Sequence, residues 1–247
     1  MNRIKSDSWI LTRPIAHRGL HNIEEGIPEN SMGAFQAAVE AGHPMELDVH
    51  LTTDGRLFIL HDFNTERVCG RNFNVSGMKS DMLGDFRLMG TEYTLPLLDD
   101  VLAEVDGRVP VLIEIKSESV HVGPLEEKLH ETLQEYKGDV AIESVNPLSI
   151  RYMRKKNPEY IIGQLSYDFK GKDNIPGPVK RLLENCRLNF LSHPDFIAYD
   201  IKNMPRPFLK KMADGNKTAL LGWTIRTEDD RAFAESHCDN YIFEKIR

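Results

Sequence analysis

MELDVHLTTDGRLFILHD, residues 45–62, decides how this chain is read. Strict alternation through MELDV places Glu46 and Asp48 on one face of a strand, because side chains two residues apart point the same way. Two carboxylates side by side repel each other unless a cation or a shared proton lies between them. A hard cation such as Mg²⁺ or Ca²⁺ prefers such oxygens. The Asp54-Gly55 pair is a tight-turn signal, so residues 45–51 and 57–60 form two strands rather than one. His61 closes the second apolar run, and upstream IAHRGL (15–20) puts His17 after another. The ends of strands are where a parallel barrel or an open sheet presents its chemistry.

Working outward, the loop 19–30 carries Gly26 and Pro28 and delivers the chain to a helix capped near Asn30 or Ser31 and stopped at Gly42. VPVLIEIK (109–116) is a nearly continuous apolar run ending in charge, the pattern of a buried parallel strand. Helical spacing is expected over 98–105, 125–136, 147–156 and 179–185. Further strands are expected over 14–17, 140–144, 160–166, 196–199, 218–225 and 241–243. Nine strand-like segments result, whereas a closed (β/α)8 barrel has eight. The surplus falls at the Asp54-Gly55 pair or at the short Phe196 run. Residues 1–13 read as a leader packed against the barrel, with Trp9 and Ile10 as anchors, and residues 62–96 as a polar, loop-like insertion with a short helical piece at 82–86.

A chain of 247 residues suits one large domain, and 40% hydrophobic with 28% charged residues allows a sizeable core. Its net charge of −7 argues against nucleic acid as a partner, while a small anionic substrate is still compatible with a locally positive site. Cys69, Cys186 and Cys238 are too scattered for a disulfide framework or a zinc site. The N-terminal run is too short for a signal peptide, and nothing approaches the ~20 apolar residues of a membrane span. Cytoplasmic residence without stable membrane insertion is therefore expected, and homo-oligomerisation is left open.

Three carboxylates, Glu46, Asp48 and Glu114, come from the ends of two strands and form a candidate Mg²⁺ or Ca²⁺ site. An isolated E-x-D pair is more often a salt-bridged surface feature. Acids inside runs such as VPVLIEIK reverse that preference, because burying them is costly unless they are paired or metal-bound. His17 and His61 are the candidate acid and base, since imidazole can give or take a proton near neutral pH. Which does which stays open. The fork of Arg18 matches two phosphoryl oxygens, and Lys116 adds a second positive charge beside Glu114; salt bridges within the barrel are the competing roles. Glu29 reads mainly as a helix-start residue. Trp223 in GWTIR is either an apolar wall for a substrate or core packing, and Ser144 and Asn146 are either site-facing or turn formers.

In this order, His17-Arg18-Gly19, Pro28-Glu29-Asn30-Ser31, Glu46-Leu47-Asp48, Thr53-Asp54-Gly55, His61-Asp62 and Glu114-Ile115-Lys116 resemble the glycerophosphodiester phosphodiesterase family. The resemblance implies an α/β fold, a (β/α)8 TIM barrel, with residues 62–96 as an inserted cap at the substrate mouth. It implies metal-dependent cleavage of a small phosphodiester to glycerol 3-phosphate and an alcohol, with Glu46, Asp48 and Glu114 as ligands and the histidine pair in acid-base work. The chain departs from the common Thr-Asp-x-Pro ending: it reads YIFEKIR, so Glu244 is expected in place of the Asp and no full helix after the last strand. Two alternatives remain, a phospholipase-type enzyme for lysophospholipid head groups and a barrel that binds phosphorylated ligands without turnover.

Overall fold

A computed structural model describes residues 4–117, 119–171, 175–216 and 218–245. Its strands are β1 (Ile15–Ala16), β2 (Met45–Leu51), β3 (Leu57–Ile59), β4 (Val111–Ile115), β5 (Val140–Ser144), β6 (Ile161–Ser166), β7 (Phe196–Asp200), β8 (Ala219–Ile225) and β9 (Asn240–Phe243). Eight of them run parallel, and β1 pairs with both β2 and β9 to close a barrel. The ninth is β3, which folds back antiparallel on β2 with Val49 opposite Ile59. The surplus strand therefore belongs to the Asp54-Gly55 hairpin, where Gly55 takes the positive φ of 82° that the turn requires. The Phe196 run is a true barrel strand.

Inward-facing residues of the strands make one core. Ile15, Leu112, Ala141, Phe196, Ala198, Leu221 and Ile242 pack together with Ile4 and Ile10 of the leader. The short helix Trp9–Thr12 thereby closes the floor, and Asn240 fixes it by donating from Nδ2 to the carbonyls of Ile10 (3.0 Å) and Arg13 (2.8 Å). Within the barrel, Gly163 leaves room for Phe196: a Cβ there would lie 2.1 Å from the ring.

A second core lies between the strands and the outer helices. Helix Leu98–Val105 shows why that layer forms, because Leu98, Val101, Leu102 and Val105 are buried at the spacing of one helix face. Helix Met32–Glu40 starts at Ser31, whose hydroxyl accepts from the Ala34 N–H. Other helices escaped the apolar pattern. Glu228–His237 buries Ala234 alone; its signal was the Thr227-to-Asp230 capping box.

Residues 62–96 hold more structure than their polarity suggests. They contain the helix Glu66–Cys69 and three 3₁₀ turns, of which Ser80–Asp85 is the expected helical piece. Val68, Val75, Met78, Leu83, Phe86, Leu88 and Leu95 pack on Phe58 and Leu60 in a small core of their own. After β9 the chain continues to Lys245; residues 246 and 247 lie outside the described residues. No helix among the described residues is long and apolar enough to cross a membrane.

Candidate active site

Parallel pairing of β2 with β4 sets Asp48 opposite Glu114, and alternation along β2 adds Glu46 on the same face. All three are buried, and one ligand oxygen from each lies within 4.8 Å of the others. Lys116, just past β4, places Nζ 3.0 Å from Glu114 Oε1 and 3.4 Å from Asp48 Oδ1. Burial disfavours the charge on Asp48, yet Lys116, His61, Arg18 and a hydrogen bond from Asn30 together hold its carboxyl well below the usual range. Glu46 goes the other way: burial, then the charges of Asp48, Glu114 and Glu143, push it well above the ordinary carboxylate value. Glu114 is raised by burial and by Asp48 against the pull of Lys116. The buried Oδ1 of Asp48 has no hydrogen-bond partner among the described residues. Hard oxygens this close, with acids that cannot all ionise unaided, fit a divalent cation.

His17 follows β1, and its Nδ1 donates to Glu244 Oε1 at 2.5 Å while Nε2 faces Glu46 Oε2 at 3.9 Å. Burial pushes the imidazole down to about 4, outweighing the carboxylate of Glu244. Burial thus leaves the ring neutral at pH 7 and hydrogen-bonded to an ionised Glu244. Glu244 keeps its charge without His17⁺ because Arg226 also binds it, at 2.8 and 3.1 Å. Glu244 thus stands behind His17, a contact that spans 227 residues of the chain.

His61 comes after β3, so it enters from the return arm of a hairpin and not from a barrel strand. The Leu60 N–H donates to the Asp48 carbonyl at 3.1 Å, which brings the next residue beside the acids. Its Nδ1 bonds Asp62 Oδ1 at 2.6 Å, and Asp62 in turn accepts from Arg67 Nε at 2.6 Å. Each imidazole therefore has a carboxylate on Nδ1, an arrangement that fixes the ring and leaves Nε2 for proton transfer.

Arg18 sits at φ 55°, with its backbone N–H donating to Glu46 Oε2 at 2.9 Å and Nη1 to Glu29 Oε1 at 2.6 Å. Its Nε is buried without a hydrogen-bond partner among the described residues. Glu29 is more than a helix-start residue, since Arg67 also grips it through two bonds of 2.9 and 2.7 Å. Burial works against ionisation of Glu29, but Arg67 and Arg18 together bring it down to about 2. Arg67 thereby ties residues 62–96 to the Pro28–Ser31 loop.

Trp223 lies near the end of β8, edge-on to Tyr167 at 6.0 Å, with a buried indole N–H that has no partner among the described residues. Ser144 and Asn146 do turn work: Ser144 Oγ donates to the Ile115 carbonyl at 2.7 Å, and Asn146 caps helix Pro147–Lys156. Sequence reasoning passed over Asn30, whose Nδ2 donates to Asp48 Oδ2 at 2.7 Å, taking it for a helix cap. It also passed over Glu143 on β5, in register with Glu114. The acid inside the apolar run VAIES was the available signal.

A closed parallel barrel with acids and imidazoles gathered at the strand ends is the class of protein that this fold and site define. The chain belongs to the glycerophosphoryl diester phosphodiesterase family, whose sequence profile matches residues 17–243. It is 35% identical over 164 residues to a glycerophosphodiester phosphodiesterase of Caldanaerobacter subterraneus subsp. tengcongensis, covering 62% of this chain and 66% of that one. It is 36% identical over 140 residues to a lysophospholipase D of Rattus norvegicus, covering 51% and 42%. The match thus spans less than two thirds of either relative. Among solved structures, an Oleispira antarctica phosphodiesterase in complex with the product sn-glycerol-3-phosphate shares the fold, with a TM-score of 0.73 at 18% identity and 94% and 92% of the two chains covered.

Proposed function

We propose that this chain is a divalent-metal-dependent hydrolase of glycerophosphodiesters, releasing glycerol 3-phosphate and an alcohol. The observation that carries it is the pair of imidazoles, each backed by a carboxylate, converging on one buried trio of acids. The family, the named activity of the Caldanaerobacter relative and the product bound to the Oleispira protein support that substrate class. Glu46, Asp48 and Glu114 would hold Mg²⁺ or Ca²⁺, which when bound polarises a phosphoryl oxygen.

The chain's own residues do the rest. Neutral at pH 7, His17 accepts a proton at Nε2 from the attacking hydroxyl or water, and Glu244 stabilises the imidazolium that forms. His61, held by Asp62, delivers a proton to the departing alkoxide. Arg18, whose Nε lies 3.7 Å from Asp48 Oδ2, and Lys116 offer positive charge to phosphoryl oxygens as negative charge builds. Trp223 walls the alcohol or glycerol side and can donate from Nε1. Residues 62–96, anchored through Arg67, act as the cap beside this mouth.

The test is release of glycerol 3-phosphate from glycerophosphocholine and glycerophosphoethanolamine, read by a coupled enzymatic assay; no release from either sinks the substrate class. A second reading, head-group hydrolysis of lysophospholipids, is favoured by the named activity of the rat relative and by Phe63 and Met89, large apolar side chains exposed on the 62–96 segment. Faster turnover of lysophosphatidylcholine than of glycerophosphocholine would select it.

A further inference from the structure

Glu143 has no role in the proton transfers or phosphate contacts above, yet it is 1% exposed and its Oε2 has no hydrogen-bond partner among the described residues. Residues in register on parallel strands share a face. Asp48 pairs with Glu114 and Glu114 with Glu143, so the three acids form one row across β2, β4 and β5. Glu46 sits two residues before Asp48 on the same face. The next place in that row is Gly163, where the ring of Phe196 fills the space a side chain would take. An apolar ring, not a hydrogen-bond donor, therefore flanks Glu143 on its far side.

A lone buried carboxylate is among the costliest groups to place in a core, and a glutamine of the same size would avoid that cost. Four acids, Glu46, Asp48, Glu114 and Glu143, face Lys116 and Arg18, and Arg18 is also shared with Glu29 at 2.6 Å. Carboxylates thus outnumber the cations among them, which is the imbalance a divalent ion offsets.

We propose that Glu143 is a fourth acid of the metal centre, bound to the ion or to one of its waters, and that it makes the centre prefer Ca²⁺ to Mg²⁺. Its role presupposes the metal-binding trio proposed above. Ca²⁺ takes six to eight oxygens in flexible geometry, whereas Mg²⁺ is content with one or two carboxylates and keeps its waters. A fourth carboxylate adds a ligand that the larger ion can use and the smaller one gains little from.

Calorimetric titration of the full chain with CaCl₂ and with MgCl₂ tests this without reference to turnover. Wild type should bind Ca²⁺ at least about tenfold more tightly than Mg²⁺. Glu143→Gln, and Glu143→Ala in case the amide oxygen substitutes, should lose about tenfold or more in Ca²⁺ affinity and about threefold or less in Mg²⁺ affinity, in the range seen when outer partners of metal sites are removed. Thermal melts of the metal-free variants report that they fold. Unchanged Ca²⁺ affinity in both variants, or equal losses for the two ions, overturns the role of Glu143 while leaving the trio standing. If wild type binds neither ion while Asp48→Asn melts like wild type, the metal centre itself falls and Glu143 with it.

Discussion

At the floor of the barrel Ile4 and Ile10 lie against Ile15, Leu112 and Ile242, and the polar groups needed there are satisfied by Asn240. At the mouth, a few residues further along the same strands, Glu46, Asp48, Glu114 and Glu143 crowd around Lys116 and Arg18, and several buried polar atoms have no hydrogen-bond partner among the described residues. One end lowers free energy by removing apolar surface from water. The other raises it by burying like charges, which is tolerable only where a ligand or ion completes the arrangement. Stability and chemistry are thus separated along the barrel axis, and substitutions at the two ends should fail in different ways.

The sharpest contrast comes from the imidazoles. His17→Ala and His61→Ala should each lower kcat by roughly 10²–10⁴ while the melting temperature stays near that of wild type. A loss below tenfold in both would remove them from proton transfer. At the floor, Ile10→Ala should do the reverse: about 2–5 kcal/mol of stability lost by cavity formation, read as a melting point lower by roughly 5–15 °C, with kcat/KM unchanged within about twofold.

An intermediate effect joins charge to stability. Glu46 and Glu143 titrate well above an unfolded carboxylate because of burial and of the neighbouring acids. In the metal-free protein the folded state therefore holds more protons than the unfolded one above about pH 4.5, so these groups make stability fall as pH rises. A divalent ion relieves the repulsion, so one fixed Ca²⁺ concentration, set at 100 times the Kd at pH 8, should add about 2.7 kcal/mol there and raise the melting temperature less at pH 5.5, where protons compete for the acids. Equal rises at both pH values would contradict the assignment. His17, held near 4 by burial, opposes this trend only between about pH 4 and 6.5, where stability gained on its losing a proton increases with pH. The smallest effect is at Trp223. Trp223→Phe keeps a ring and removes the N–H, so KM for glycerophosphocholine should rise by about fivefold, the value of one hydrogen bond near 1 kcal/mol, with kcat changed less.

Much of the mouth was legible in the chain because its residues sit in patterned strands. Period-two alternation aligned Glu46 with Asp48, and the apolar run around Glu114 marked a buried acid. The hairpin at Asp54-Gly55 was visible as a turn, but only the pairing of Val49 with Ile59 shows that β3 lies outside the barrel. What escaped depends on contacts distant in sequence. Asn30 reaches Asp48 through a positive φ of 53° that no local pattern announces. Arg67 in the insertion meets Glu29 across 38 residues. Helix Glu228–His237 buries too little to show an apolar stripe.

The central claim, that this mouth cleaves a phosphodiester only with a divalent ion in place, is tested most directly by phosphorus NMR of glycerophosphocholine incubated with protein stripped by EDTA, then resupplied with Ca²⁺ or Mg²⁺. The expected spectrum shows intact diester with the stripped protein and glycerol 3-phosphate appearing once the ion is restored. Equal product from stripped and resupplied protein would contradict the account.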